Sequence, residues 1–337
     1  IVLVSTTGGS NGLSTPAILD KDGDYIADYI YAGDLQGNMW KIDVTSSNSS
    51  SWGSFYTGGG NPKPLFTATD GTTSTTVVQP ITERPEIGDQ PTGQGGYMVY
   101  FGTGRYVAAN DNTASASPIQ TFYGVWDRDT NTSKSVSGSA AVSRDRLLAQ
   151  TIGTATVAST TVRSVTNNLI GVWNDSGTAC NPGSPTSTTN NCMGWRDDLL
   201  TTAADSLGEM SVSNPVLLGG TTPRIIFTTL IPRTNTPCEP GGTSWLMELS
   251  PTNGGPTKVE VFDITGDGKI TSADTINGTP VAGIKSTIGI MPEPVIARNP
   301  AKGTDVKLFA GSSGTIQGIN NYPAPGGSGR QSWRQLK

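Results

Sequence analysis

Histidine is missing altogether from the 337 residues. Without an imidazole there is no Ser-His-Asp triad, no His-bound zinc, no His-ligated haem and no histidine general base. Only three cysteines occur, too few for a four-cysteine zinc or iron–sulfur site within the chain. Charge is scarce as well. Charged residues make up 15% and aromatics 7%, where an average soluble domain carries roughly 25% charged residues. The net charge of −5 is the wrong sign for a nucleic-acid binder, which shows a basic face. Apolar runs are short: Val216–Leu218 and Ile225–Phe227 are strand-sized, far below the roughly 18 residues of a membrane helix. What is left for metal chemistry is oxygen, from Asp, Glu, Asn, Thr and backbone carbonyls.

Glycine and proline are plentiful instead, at 43 and 22 residues. Short β-rich runs alternate with Gly/Pro/Asn/Asp clusters, and helical periodicity is almost absent, which predicts an all-β fold. Internal repetition narrows the choice. Leu13-Ser-Thr-Pro16 leads to Tyr29–Asp43, and Glu83-Arg-Pro85 leads to Met98–Gly104 and Thr121–Asp127. Ser213-Asn-Pro215 leads to Arg224–Thr229 and Thr243–Leu249, and Pro292-Glu-Pro294 leads to Val306–Gly311 and Gly314–Ile319. Each unit places a Pro-led apolar strand before a second strand and a third, often with Trp followed by an acid. A weaker fifth unit runs from Leu147 through Val162 to Trp195–Leu199. The pattern is that of a β-propeller with one blade per unit. Long insertions fall at Val107–Pro118, Arg128–Arg144 and Gly177–Gly194, and Asp43, Asp127 and Glu248 read as polar groups at strand ends.

Two acidic loops carry the chemistry. In Asp20-Lys-Asp22-Gly-Asp24-Tyr-Ile-Ala-Asp28, carboxylates stand at positions 1, 3, 5 and 9, with the Ile26 carbonyl available at position 7. Such alternation aims hard oxygens at one point, as Ca2+ requires, and four acids in nine residues repel one another without a cation. Tyr25 stands where a turn glycine is usual. The second loop, Asp263-Ile-Thr265-Gly-Asp267-Gly-Lys269-Ile-Thr-Ser-Ala-Asp274, follows the twelve-residue calcium spacing. It offers oxygens from Asp263, Thr265 and Asp267, a carbonyl from Lys269 and a carboxylate from Asp274, with Asp274 in place of the usual longer Glu. Cys180 and Cys192 flank a polar loop that a disulfide closes readily outside the cytosol. Two free thiols, or a bridge that uses Cys238 instead, are the alternatives. Gly58-Gly-Gly60 and Gly102-Thr-Gly104 lack the Lys-Ser/Thr of a phosphate loop and read as turns.

With these segments in view the chain resembles the C-terminal domain of the PilY/PilC proteins of type IV pili. The resemblance rests on Gly12-Leu-Ser-Thr-Pro16, on the Asp20–Asp28 loop running into Tyr31-Ala-Gly-Asp-Leu-Gln-Gly-Asn-Met-Trp40, and on Gln79–Pro85 and Tyr100–Tyr106. It continues through Gln120–Asp127, Ile225–Thr229, Gly242–Leu249 and the terminal Ser332-Trp-Arg334, and so spans nearly the whole chain. It implies one modified β-propeller domain over residues 1–337, seven-bladed, the C-terminal part of a longer protein. It implies calcium held at Asp20, Asp22, Asp24, Ile26 and Asp28, and no catalysis. It further implies an extracellular place at the pilus tip or outer-membrane surface, with minor pilins as partners. Control of pilus extension and retraction, twitching motility and adhesion to host or abiotic surfaces complete the expectation. Arg196-Asp-Asp198 is no Arg-Gly-Asp adhesion tripeptide. A quinoprotein-like dehydrogenase propeller and a carbohydrate-binding surface module, the latter stacking sugars on Trp52 and Tyr56, are the competing classes.

Overall fold

In a computed structural model the described residues are 11–71, 77–108, 111–112, 115, 118–130, 134–174, 180, 191–199, 207–233, 241–299 and 303–323. Cys238, the Ser332–Arg334 segment and most of the 177–194 insertion lie outside them. Among the described residues the fold is all-β, with no α-helix and with single 3-10 turns at Ser49–Ser51 and Arg144–Arg146.

The four Pro-led units fold as four antiparallel three-strand meanders. They comprise Ala17–Leu19, Tyr29–Gly33 and Asn38–Asp43; Glu86–Asp89, Tyr97–Gly102 and Thr121–Asp127; Val216–Leu218, Arg224–Thr228 and Trp245–Leu249; and Val295–Asn299, Thr304–Ala310 and Ile316–Asn321. Their registers pair Tyr31 with Lys41, Phe101 with Tyr123, Phe227 with Met247 and Lys307 with Ile319. Proline at the mouth of each first strand is tolerated because it donates no ladder hydrogen bond there. The middle and third strands of the second and third units are buried almost throughout, and this accounts for their continuous apolar runs. Phe122 and Phe227 stack at 3.7 Å with 5° between their planes, joining the second sheet to the third.

The fifth unit does not form a sheet of its own. Gly194–Asp198 extends the second sheet beside Thr121–Asp127, and Leu148–Gln150 follows it in parallel. The hairpin of Ile152–Val157 and Thr160–Val165 joins the third sheet through Gly283–Lys285. One cause is a close approach: the Trp195 indole lies where a Cβ on Gly124 would stand, so glycine there lets Gly194–Asp198 pair with Thr121–Asp127. Among the described residues four sheets of three or more strands result, with four two-stranded ribbons beside them.

The Tyr31–Trp40 motif closes the hairpin of the first sheet. Asp34 is fully buried, and five donors converge on its carboxylate. Gly37 adopts φ 78°, and a side chain there would strike the carbonyls of Ala68 and Gln79. Only glycine meets both demands.

Candidate metal centre

The first acidic loop is the connection between Ala17–Leu19 and Tyr29–Gly33. Antiparallel pairing sets Leu19 opposite Tyr29, and the Asp28 N–H donates to the Leu19 carbonyl at 2.9 Å. The first and last acids of the loop therefore start side by side. Between them the backbone curls around the carboxylates. Gly23 and Tyr25 donate to the two Asp20 oxygens at 2.7 and 2.8 Å. Asp24 N–H donates to Asp22 Oδ1 at 3.2 Å, Ile26 N–H to Asp24 Oδ1 at 2.7 Å, and Lys21 N–H to Asp28 Oδ2 at 2.7 Å. Asp20, Asp22 and Asp28 each bring an oxygen within 4.8 Å of the others, and no other such trio occurs among the described residues. Asp24 stands outside this trio. Tyr25 takes φ 69°, the left-handed turn that a glycine would supply, while 97% exposed. That conformation costs a side-chain-bearing residue about 1–2 kcal/mol, and an exposed ring offsets little of it.

The donor set fits a hard divalent cation. Three carboxylates with oxygens within 4.8 Å of one another repel by at least about 0.9 kcal/mol per pair even in a water-like dielectric, and Ca2+ would relieve this with oxygen ligands alone. Asp24 and the Ile26 carbonyl are the neighbours that would extend the set.

The second loop uses its acids differently. Asp274 is buried, and its carboxylate accepts the N–H groups of Ile264, Thr265 and Thr271 at 2.9, 3.0 and 2.9 Å and the Thr265 hydroxyl at 3.1 Å. Asp263 accepts from Gly266 and Gly268 at 2.8 and 2.9 Å, and Asp267 accepts from the Lys269 N–H at 2.8 Å. The carboxylates of Asp263, Asp267 and Asp274 are not gathered as those of the first loop are. Cys180 and Cys192 form a disulfide, with Cα atoms 4.9 Å apart and both residues buried.

A family model described as PilY1 beta-propeller domain matches residues 1–166. The crystal structure of the Pseudomonas aeruginosa PilY1 C-terminal domain superposes with a TM-score of 0.69 and 28% identity, over 95% of this chain and 62% of that one. The chain belongs to the PilY1 family. It is 31% identical over 351 residues to a protein of Xylella fastidiosa named type IV pilus biogenesis factor PilY1 homolog, covering 98% of this chain and 21% of the relative. It is 33% identical over 357 residues to the type IV pilus biogenesis factor PilY1 of Pseudomonas aeruginosa strain UCBPP-PA14, covering 99% of this chain and 29% of that protein. This PilY1-family domain thus spans less than a third of the length of these curated relatives.

Beside its first acidic loop the PilY1-family domain holds buried ion pairs that a reading of strand-end polar groups misses. Lys41 is fully buried in the first sheet. Its ammonium lies 2.9 Å from Asp127 Oδ2 and 2.5 Å from Asp129 Oδ1, with the Tyr29 and Phe55 ring centres 4.0 and 3.8 Å away. Tyr31 and Tyr56 donate their hydroxyls to Asp127, each at 2.5 Å. Burial, then the Asp127 charge, pushes both phenols well above their usual pKa and keeps them as donors. Asp129 also accepts from the Lys21 ammonium at 2.5 Å. Burial alone would raise the Asp129 carboxyl, but hydrogen bonds from Lys21 and Lys41 outweigh it and hold the pKa below the ordinary value. Asp127 and Glu248 are therefore buried partners of cations, not strand-end decoration. Glu248 binds the Lys307 ammonium and Asn321, each at 2.6 Å, and lies 3.3 Å from Arg224. Asp43 alone is partly exposed, and takes Lys134 at 3.3 Å. Tyr56, with its buried ring and engaged hydroxyl, is not a sugar-stacking surface, and the Trp52 indole donates to the Ser46 carbonyl at 2.7 Å. The signal present in the sequence was a lone lysine inside an apolar strand, Met39-Trp-Lys41-Ile42 and Val306-Lys307-Leu-Phe309.

Proposed function

We propose that this domain is a calcium-binding, non-catalytic part of a type IV pilus biogenesis factor. In this reading Asp20, Asp22 and Asp28 hold the ion, with Asp24 and the Ile26 carbonyl completing the set. The observation that carries the metal reading is the convergence of three carboxylates across one hairpin. The names of the relatives carry the pilus reading. The ion supplies charge neutralisation and order to a loop whose acids otherwise repel. The loop ends both lie in the first sheet, and the Val44 N–H is held by the Asp28 carbonyl at 2.9 Å. Occupancy therefore fixes that edge of the domain in one state, and a partner such as a minor pilin can be sensitive to it. Extension and retraction of the pilus at the outer cell surface, and with them twitching and surface adhesion, are the outputs of this reading.

The test is a calcium titration by calorimetry of the chain and of Asp28→Asn, followed by twitching assays of cells that carry the same substitution in the full-length protein. The expected result is an affinity loss of at least tenfold with altered twitching. Unchanged affinity removes the site. Lost affinity with normal twitching removes the regulatory role.

A further inference from the structure

We propose that Asp129 is a positioning residue for the metal loop. It parks the Lys21 ammonium away from the carboxylates of Asp20, Asp22 and Asp28, and it ties the loop to the junction of the first two sheets. The inference rests on the calcium reading above and deepens it.

Lys21 sits in sequence between two of the three converging acids. An ammonium on a flexible stem there is an internal rival to any cation, at an effective concentration no outside ion matches. Yet its Nζ is found 2.5 Å from Asp129 Oδ2, on a residue 108 positions away. Asp129 is built to receive it. The side chain is 5% exposed, its other oxygen is held by Lys41 at 2.5 Å, and its own N–H donates to Asp127 Oδ1 at 3.0 Å. It takes φ 52° to reach this position, a conformation that Asp tolerates better than most residues. Lys21, Lys41, Asp127 and Asp129 form a set of two cations and two anions with no charge to spare. Without the Asp129 carboxylate, Lys41 keeps Asp127, and Lys21 becomes the surplus cation. Its backbone remains in the loop, where the Lys21 N–H holds Asp28 Oδ2 at 2.7 Å, and the carboxylates nearest to it along the chain are Asp20 and Asp22 of the trio. The coupling is reciprocal. A cation on the trio removes the acids that compete for Lys21 and so strengthens the Lys21–Asp129 contact between the loop that joins Ala17–Leu19 to Tyr29–Gly33 in the first sheet and the end of Thr121–Asp127 of the second.

Calcium binding is measured by calorimetry on the chain and on D129N, K21M and the double variant K21M/D129N. The expected result is a loss of at least tenfold in D129N, equal to about 1.4 kcal/mol. K21M stays within threefold of the unsubstituted chain, and the double variant within threefold of K21M, since with no ammonium to release the Asp129 carboxylate has nothing to park. Unchanged affinity in D129N overturns the proposal, and so does an equal loss in the K21M background. A chain that takes up no calcium before substitution refutes the calcium reading; one that binds while the cycle is null refutes the Asp129 assignment alone. A measurement that needs no variant guards against misfolding of D129N. In competitive acetylation, Lys21, whose side chain is 45% exposed but whose ammonium is held by Asp129, must label at least threefold more slowly than Lys258, which is also exposed, and equal rates overturn the proposal.

Discussion

The burial of Asp34 makes an isosteric change almost as harmful as a truncation. Its Oδ1 accepts the backbone N–H groups of Gln36 and Asn38, both at 2.9 Å. Its Oδ2 accepts the side-chain amides of Asn11 and Asn38 at 3.1 and 3.0 Å and the Trp40 indole N–H at 2.9 Å. Hydrogen bonds to a charged acceptor are worth about 1.5–3 kcal/mol each, and a buried donor left alone costs about 1–3 kcal/mol. These contributions share one group and do not add, so Asp34→Ala is expected to cost about 4 kcal/mol. At about 2.1 cal/mol/K of unfolding entropy per residue this lowers Tm by about 6 °C. Asp34→Asn keeps the shape but turns one oxygen into a donor. The best orientation leaves the oxygen on the two backbone N–H groups and sets the new NH2 against Trp40. Asn11 and Asn38 can turn their amides to accept, whereas an indole N–H only donates. The expected cost is about 2–3 kcal/mol, read by guanidinium unfolding and calorimetry of parent and variant in the same buffer. Asp34→Asn within 0.5 kcal/mol of the parent would falsify this account of the motif.

Two further outcomes follow from buried groups. The Cys180–Cys192 bridge, with a sequence separation of 12, closes a short loop, so replacing both residues by Ser is expected to lower unfolding free energy by about 3 kcal/mol; a loss under 1 kcal/mol in denaturant titrations contradicts this. Burial draws the Lys307 ammonium down from 10.5 to about 8 despite the Glu248 carboxylate beside it. Between those pH values the unfolded chain keeps the proton that the folded chain has shed, so stability contributed at this site rises with pH. The difference in unfolding free energy between the parent and Lys307→Met should move in the parent's favour by up to about 3 kcal/mol from pH 8 to 10.5, at 1.36 kcal/mol per unit; a constant difference refutes the assignment.

How far the sequence could be read depends on how local the cause is. The four meanders were legible because proline, alternating apolar runs and turn glycines act within a few residues. The fifth unit was not, because the fit of Trp195 against Gly124 is a contact between distant strands, and no local pattern says which sheet a strand will join. The two acidic loops divide in the same way. Spacing placed Asp20, Asp22 and Asp28 together, since a hairpin brings positions 1 and 9 side by side. Asp24 stands outside that trio, with its Oδ1 on the Ile26 N–H. In the second loop the spacing is equally good, yet its carboxylates do not converge on one point as those of the first loop do, and Asp274 is buried with its oxygens on the N–H groups of Ile264, Thr265 and Thr271.

The buried charges show why a chain so poor in charge places several where water cannot reach. Lys41 of the first sheet meets Asp127 and Asp129 at the end of the second, and Lys307 of the fourth meets Glu248 of the third. Desolvation offsets most of the attraction in such pairs, so their net contribution to stability is small. Breaking one is a different matter, since a buried charge left alone costs about 3–5 kcal/mol. The repeated units resemble one another closely enough in apolar pattern that hydrophobic burial alone discriminates weakly between neighbours. A first sheet packed against any unit other than the second would strand Lys41 in an apolar setting between the Tyr29 and Phe55 rings. The ion pairs thus fix the order of the sheets more than they strengthen it. Because Lys21 of the first acidic loop closes on the same carboxylate as Lys41, the junction that sets the order of the first two sheets is also tied to that loop.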